Sequence, residues 1–86
     1  MKIEVRFYAS LRDRVGRERI SLELSEGSTI EDALSEIAKL FPEQFGRIKK
    51  LIGLGYFITR NGLHVPTNVK LNDGDEIVIY PPIAGG

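Results

Sequence analysis

One segment of this chain has the spacing of an amphipathic helix, and the segments before and after it have the alternation of strands. The apolar positions of the helical segment are Ile30, Ala33, Leu34, Ile37, Ala38 and Phe41. That spacing places all six side chains on one stripe of a helix, which must pack against a core. Ser28 and Glu31 fit a capping box at its start, and Pro42 predicts its end. The core that this helix covers therefore has to come from strands.

Five short segments have strand character. In the first, Ile3, Val5 and Phe7 alternate with polar residues, and a second alternating segment covers residues 20–24. We interpret the polar stretch between them, residues 9–18, as a loop. A weaker helical pattern runs from Phe45 through Ile48, Leu51 and Ile52. The three later strands are predicted at residues 56–60, 63–65 and 76–80.

The turn signals agree with these strands. Asn61-Gly62 is a strong signal for a tight hairpin turn. Pro66 places the returning segment at a sheet edge, because proline cannot donate a backbone hydrogen bond. Residues 72–75 predict a second turn, directly before the last strand.

The order strand, strand, helix, strand, strand, strand predicts an α+β roll in which one helix crosses one face of a mixed sheet. In such a roll the first and last strands lie side by side, so Ile77 and Ile79 would face the helix. Val78, Tyr80 and Tyr8 would point to the opposite face, which no helix remains to cover. Three such side chains near one another favour a docking site for a partner, although scattered exposed apolar atoms are common on any surface.

Composition excludes several classes of protein. The 86 residues suffice for one domain. Twelve basic and twelve acidic side chains cancel, whereas a nucleic-acid-binding domain usually has a basic excess. The absence of cysteine excludes disulfides, zinc–cysteine sites and thiol catalysis. No apolar run is long enough for a membrane span or a signal peptide, so we expect a cytoplasmic protein.

The neutral total conceals an alternation of charge along the sequence. Residues 1–19 carry three positive charges in excess, and residues 20–46 carry five negative ones. The excess is five positive charges over residues 47–70 and three negative charges over residues 71–86. Patches of opposite sign suit docking onto other proteins, and the solvated faces of successive elements give the same pattern. Both interpretations stay open at this point.

No catalytic or metal-ligating group is recognisable in the sequence. His64 is the single histidine, follows a turn and is predicted to be a surface residue. Asp73, Asp75 and Glu76 cluster at a tight turn, where carboxylates stay solvated. Four arginines, at positions 12, 14, 17 and 19, have no aromatic residues between them, which is weak evidence for nucleic-acid binding. We therefore expect neither an enzyme nor a metal site.

The end of the sequence carries the chemistry that the body lacks. Pro81 and Pro82 stop the last strand, and Ile83-Ala84-Gly85-Gly86 follow. Because glycine has no Cβ, such a segment can enter a channel that excludes side chains. The reactive group there is the α-carboxylate of Gly86, which becomes an electrophile only once activated, for instance as a mixed anhydride with AMP. A frayed end without function would have the same composition, so the residues alone leave both interpretations open.

The whole chain resembles the β-grasp, ubiquitin-like sulfur carriers, and most closely the small subunit of molybdopterin synthase. The most specific stretch is the end, where an Asp-Gly-Asp-Glu turn leads into a strand and then into Pro-Pro-x-x-Gly-Gly. Residues 43–55 match the pattern less well. The segments that carry the resemblance are Phe7-Tyr8-Ala9, Leu11-Arg12, Val15-Gly16, Ser28-Thr29-Ile30, Asn61-Gly62, Leu71, Asp73-Gly74-Asp75-Glu76-Ile77 and Tyr80 to Gly86.

The resemblance implies a carrier that has no catalytic site and binds no cofactor of its own. An E1-like adenylating enzyme would use ATP to adenylate Gly86, and a sulfur-donor enzyme would convert the adenylate to a thiocarboxylate. The carrier would then insert its end into the large subunit of molybdopterin synthase, in a heterotetramer, and donate sulfur for the dithiolene that holds molybdenum or tungsten. No nucleic acid and no membrane would be involved.

The resemblance also implies which residues act. It divides the chain into a β-grasp domain, residues 1–82, and a flexible tail, residues 83–86. Gly86 would carry the sulfur. The residues that insert would be Pro81, Pro82, Ile83, Ala84 and Gly85. The residues that dock on the partner would be Tyr8, Leu63, Val78 and Tyr80.

Other destinations use the same chemistry. The protein could be a ubiquitin-like modifier of lysines, or a sulfur donor for thiamine or for tRNA thiolation. Two further hypotheses are a plain interaction module whose tail is incidental and an RNA-binding β-grasp protein. The second of these requires an affinity that falls steeply with salt.

Overall fold

The computed structural model describes residues 1–45 and 56–81. Its elements in chain order are β1 (Lys2–Phe7), α1 (Ser10–Val15), β2 (Arg19–Glu23), α2 (Ile30–Leu40), α3 (Pro42–Phe45), β3 (Phe57–Arg60), β4 (Leu63–His64) and β5 (Glu76–Tyr80). The strands of these residues form one sheet in the order β2-β1-β5-β3-β4. β1 and β5 are parallel, and the other pairs are antiparallel. The prediction that the first and last strands lie side by side in a mixed sheet is confirmed.

The core lies between the sheet and α2. On α2, the side chains of Ile30, Ala33, Leu34 and Ile37 are at most 1% exposed. The facing side chains of the two central strands are Ile3, Val5, Phe7, Ile77 and Ile79, and they are equally buried. Both the helical stripe and the alternation of the strands therefore predicted the correct faces.

The hairpin between β3 and β4 also forms where the sequence predicts it. Asn61 and Gly62 have φ values of 50° and 86°, and a two-residue turn of this type needs a positive φ at both positions. The turn places Arg60 directly opposite Leu63, and β4 is the outer strand of the sheet, as Pro66 predicted.

The predicted cap of α2 is wrong by one residue. The N-cap is Thr29, whose Oγ1 accepts a hydrogen bond from the backbone N–H of Asp32 at 3.3 Å. Asp32 Oδ2 in turn accepts from the N–H of Thr29 at 2.9 Å. Ser28 is committed elsewhere, because its carbonyl accepts from the N–H of Leu71 at 2.8 Å. A contact with a segment far along the chain therefore fixes where the helix starts.

The prediction of a loop over residues 9–18 is also wrong. Residues Ser10–Val15 form α1, which ends where Gly16 adopts a φ of 80° and donates its N–H to the carbonyl of Arg12. Leu11 is 2% exposed, and Val15 is half-buried against the core. Two apolar residues four positions apart are enough to fasten a six-residue helix to the sheet, although they are too few to show a periodicity.

The turn after α2 begins a further short helix. Pro42 is the first residue of α3, where its missing N–H costs nothing. Phe45 is 1% exposed, and its ring centroid lies 5.8 Å from that of Phe7. The rest of the predicted helical stretch, through Ile48, Leu51 and Ile52, lies outside the described residues. Within residues 1–45 and 56–81, no helix is long and apolar enough to cross a membrane.

Candidate functional site

The sheet face opposite α2 is built from the alternate residues of the same strands. Residues directly opposite each other on neighbouring strands share a face. Arg6 of β1 lies opposite Val78 of β5, and Tyr80 lies opposite Phe57 of β3. The N–H of Tyr8 donates to the carbonyl of Ile79 at 3.1 Å, which extends the pairing one residue beyond β1. Tyr8 and Tyr80 therefore meet at the edge of the sheet where β5 leads into Pro81.

Four aromatic side chains cross this edge in a continuous line, which we call the aromatic row: Tyr8, Tyr80, Phe57 and His64. Tyr80 is the centre of the line. Its ring stacks on that of Phe57, with centroids 4.6 Å apart and planes 7° apart, and lies 5.0 Å from the ring of Tyr8. The ring of His64 meets Phe57 edge-on at 5.8 Å. All three separations are within the range for interacting aromatic pairs, and the pairs Tyr80–Phe57 and Phe57–His64 also have the preferred stacked and edge-on angles, so neighbouring rings hold one another in place.

The aromatic row is accessible to a partner. Tyr8 is 54% exposed, His64 is exposed, and Tyr80 and Phe57 are half-buried. Tyrosine, phenylalanine and histidine combine apolar area with few rotatable bonds, which suits them to binding another protein. The aromatic row thus has the exposure and the rigidity that a docking surface needs, and it lies directly beside Pro81, the last described residue.

Two of the predicted docking residues differ from the prediction: Val78 is more buried than expected, and Leu63 lies on the other face. Val78 is on the correct face but is only 7% exposed, because it lies between Arg6 and Thr59 of the flanking strands. Val78 therefore supports the neighbouring side chains of this face and offers little exposed area of its own. Leu63 is 71% exposed but lies opposite Arg60, so it shares the face of the helix and is not a neighbour of Tyr80.

Phe57 and His64 belong to this face and were missed in the sequence. The signal was present: a two-residue turn at Asn61-Gly62 makes Arg60 and Leu63 opposite partners, so Thr59 and His64 must share the other face. The sequence alone did not show that β5 is the other neighbour of β3. It is this pairing that brings Tyr80 against Phe57.

The rest of this face is polar and internally compensated. Arg6 lies 4.0 Å from a carboxylate oxygen of Glu18 and 3.9 Å from one of Glu76. The hydroxyl of Ser21 donates to Glu4 at 2.7 Å. Thr59 is 6% exposed, and within the described residues its hydroxyl has no hydrogen-bond partner. An apolar surface at the edge next to Pro81 thus adjoins a solvated, charge-paired surface over the middle of the sheet.

The acidic cluster near residue 75 is structural at its centre, which corrects the prediction that its carboxylates stay solvated. Asp75 is 6% exposed and accepts hydrogen bonds from the N–H of Asn72 at 2.8 Å and from the side-chain amide of Asn61 at 3.0 Å. The guanidinium of Arg60 lies 3.7 Å away. The Asp75 carboxylate therefore links the turn at Asn61-Gly62 to the turn at residues 72–75. Among the described residues, no three acidic, histidine or cysteine side chains are placed to hold a metal ion.

Of the remaining predicted site residues, the structure describes one, Pro81, which is half-buried directly after β5. Pro82, Ile83, Ala84, Gly85 and Gly86 lie outside the described residues, and with them the predicted boundary between domain and tail.

Comparison with known proteins decides the family. The model of the ThiS family matches residues 5–86. The chain belongs to the ThiS family. It is 29% identical over 86 residues to a molybdopterin synthase sulfur carrier subunit of Chlamydomonas reinhardtii, and 28% identical over 92 residues to small archaeal modifier protein 3 of Haloferax volcanii. Both matches cover all of this chain and all of the relative.

Solved structures agree with this assignment. A putative molybdopterin converting factor subunit 1 from Pyrococcus furiosus is 29% identical, with a TM-score of 0.78, 96% of this chain covered and 99% of that one. A chain in the complex of subunits 1 and 2 of molybdopterin-converting factor from Helicobacter pylori is 28% identical, with full coverage of both chains and a TM-score of 0.59. The predicted β-grasp, ubiquitin-like fold is therefore confirmed, in a family of sulfur carriers and ubiquitin-like modifiers.

Proposed function

We propose that this protein is the sulfur carrier of a molybdopterin synthase, with the sulfur held as a thiocarboxylate on Gly86. The observation that carries the proposal is the position of the aromatic row, at the edge of the sheet where β5 leads through Pro81 toward the diglycine. The match over the full length to a sulfur carrier subunit supports the same function. The likeness to one subunit of a two-subunit complex supports a large-subunit partner.

The chemistry requires only the terminal carboxylate of this chain. In an E1-like enzyme, a carboxylate oxygen of Gly86 attacks the α-phosphorus of ATP, and pyrophosphate leaves. A sulfide nucleophile then attacks the carbonyl carbon of the glycyl adenylate, and AMP leaves with the oxygen, so that a thiocarboxylate remains. If the donor is a persulfide, a thiol reductant must cleave the acyl disulfide that forms first. The protein presents the group, and its partners supply the catalysis, so the chain itself is not an enzyme.

In the synthase, the aromatic row and the C-terminal residues have separate roles. The aromatic row docks on the large subunit, and the residues from Pro81 onward place the thiocarboxylate in the active site. Its sulfur attacks a carbon of the pterin precursor, and the oxygen substituent on that carbon leaves. Water then hydrolyses the acyl–sulfur bond, which leaves the sulfur on the pterin as a thiolate and restores the carboxylate of Gly86. The carrier can thus be charged again.

A mass measurement on the native chain tests the proposal. Incubation with the adenylating enzyme, ATP and a sulfide source should replace one oxygen by one sulfur, and fragmentation should locate the change at Gly86. Adding one residue after Gly86 should abolish the change, because it displaces the carboxylate from the α-phosphate. Gly85→Val should impair it, because a branched side chain then stands where only backbone fits. An extended chain that still acquires sulfur, or sulfur on any other residue, would contradict the proposal.

A second candidate function is a ubiquitin-like modifier, which the full-length match to a small archaeal modifier protein favours. In that function the amine of a lysine attacks the glycyl adenylate of Gly86, AMP leaves, and an isopeptide bond forms. Because Lys70 is the last basic residue of the chain, trypsin would leave residues 71–86 attached to the modified lysine. Peptides from the source cells that carry this remnant would support the modifier function, provided that their abundance falls when this protein is deleted.

A further inference from the structure

A second surface at the same edge of the sheet carries an excess of positive charge. β1 and β5 are parallel, so α1 and the start of β2, which follow β1, lie at the edge where β5 leads into Pro81. The backbone bond from Phe7 to the carbonyl of Glu18 holds the start of β2 there. Residues 8–19 contain four arginines and only two carboxylates.

Three of these side chains, which we call the arginine rim, are Arg12, Arg17 and Arg19. All three are exposed, and none makes a side-chain hydrogen bond or an ion pair with any described residue. Residues 46–55 and 82–86 contain no acidic side chain that could pair with them. The nearby Arg14 differs, because its guanidinium donates to the hydroxyl of Tyr56 at 3.2 Å. Within the described residues, no hydrogen bond or ion pair therefore compensates the charge of the arginine rim.

The negative charge is concentrated at the other edge of the sheet. Residues 23–36 contain five carboxylates and no basic residue. Glu23 lies opposite Lys2 at the start of β1, and α2 begins at the same edge, where Ser28 bonds to Leu71. Among the described residues, the net charge is thus positive at the edge next to Pro81 and negative at the other edge, so an acidic surface would attract this part of the chain with the edge next to Pro81 in front.

We propose that the arginine rim docks on an acidic patch of the large synthase subunit, beside the opening that receives the tail. The inference rests on the proposed function. The positive charge of the rim is complementary to an acidic surface, and the rim continues from the aromatic row, because Tyr8 lies two residues before the start of α1. The rim steers the carrier during encounter, and the aromatic row holds it afterwards. A nucleic acid is a weaker candidate, because the chain as a whole has no net charge.

Two double variants with the same net charge distinguish an effect of the arginine rim from an effect of net charge alone. Arg12→Gln/Arg17→Gln removes two charges from the rim, at a shallow depression that both residues border. Lys2→Gln/Lys70→Gln removes two from exposed positions at the other edge. Glutamine is a good helix former, so α1 should persist, and circular dichroism should show the same melting temperature for both variants as for the native chain.

The measurement is the association rate constant with the large subunit over a series of salt concentrations. The native rate should fall as salt increases. The rim variant should associate about tenfold more slowly at low salt, with a flatter salt dependence and a nearly unchanged dissociation rate. The lysine variant should match the native chain.

Each other outcome overturns the inference. A rim variant that matches the native chain, or a lysine variant that is slowed equally, shows that the arginine rim does not steer. A single-stranded RNA oligonucleotide that the native chain binds and the rim variant does not, with unchanged association to the large subunit, assigns the rim to nucleic acid. A native chain that binds no large subunit overturns both this inference and the synthase partner, whereas loss of the rim effect alone leaves the sulfur carrier proposal intact.

Discussion

The two faces of the sheet are made by alternate residues of the same strands, and they have opposite physical characters. On one face Ile77 and Ile79 are buried under α2 and make up the core. On the other face, the described residues that flank Val78 and Tyr80 are side chains of neighbouring strands, and the rings of the aromatic row are half-buried or exposed. A single-residue step along β5 thus separates a residue that the fold needs from one that is accessible at the surface. We therefore expect stability and partner binding to respond to different substitutions.

Aspartate substitutions at two neighbouring residues are the strongest test of that separation. Ile79→Asp should leave the chain unfolded at room temperature, because a buried unpaired carboxylate costs several kcal/mol, which is comparable to the whole stability of a small domain. Tyr80→Asp should fold, with a modestly lower melting temperature, and should weaken binding to the large subunit. Thermal melts of both variants, followed by titration with the partner, decide the matter. If Tyr80→Asp is the variant that unfolds, the assignment of the two faces is wrong.

A pair of substitutions in β4 tests whether the docking surface is the aromatic row and not exposed apolar area in general. His64→Ala should weaken binding to the large subunit about tenfold, which would place His64 among the minority of interface residues whose truncation costs more than about 1 kcal/mol. Leu63→Ala should leave the affinity within about twofold, although Leu63 is the more apolar side chain, because it lies on the other face. Isothermal titration of both variants gives the two affinities. A larger effect at Leu63 would restore the original prediction for that residue.

The smallest expected effect concerns the helix that closes the covered face. Thr29→Ala should lower the free energy of unfolding by about 1 kcal/mol, through loss of the N-cap. Ser28→Ala serves as the matched control and should change it little, because only the backbone of Ser28 is used. Urea titrations of the two variants compare them directly. If Ser28→Ala lowers the free energy of unfolding more than Thr29→Ala does, Ser28 is the N-cap of α2, as the sequence alone suggested.

Most of the covered face could be predicted because it depends on local repetition. The alternation in β1 and β5 and the stripe on α2 each repeat a simple spacing, and each repetition identifies a buried side of an element. The Asn61-Gly62 turn fixed the register of its hairpin for a similarly local reason. These signals are contained within a few neighbouring residues.

What could not be predicted depends on neighbours from distant parts of the chain. Thr29 became the N-cap because Ser28 bonds to Leu71. Val78 is buried because Arg6 and Thr59 flank it, and His64 joins the docking surface only through Phe57 and the strand beyond it. Helix α1 has too few apolar residues to show a period. For these features, knowledge of the strand order had to come first.

The parallel pairing of β1 and β5 also has a mechanical consequence. Since parallel strands begin at the same edge, Met1 and Tyr80 are at opposite edges of the sheet, on neighbouring strands. A force that pulls the chain beyond Tyr80 away from Met1 runs along both strands and loads all of their shared backbone bonds at once. A force across the strands would break them one after another. The domain should therefore resist a pull on the chain beyond Tyr80 best when the opposing hold is near Met1.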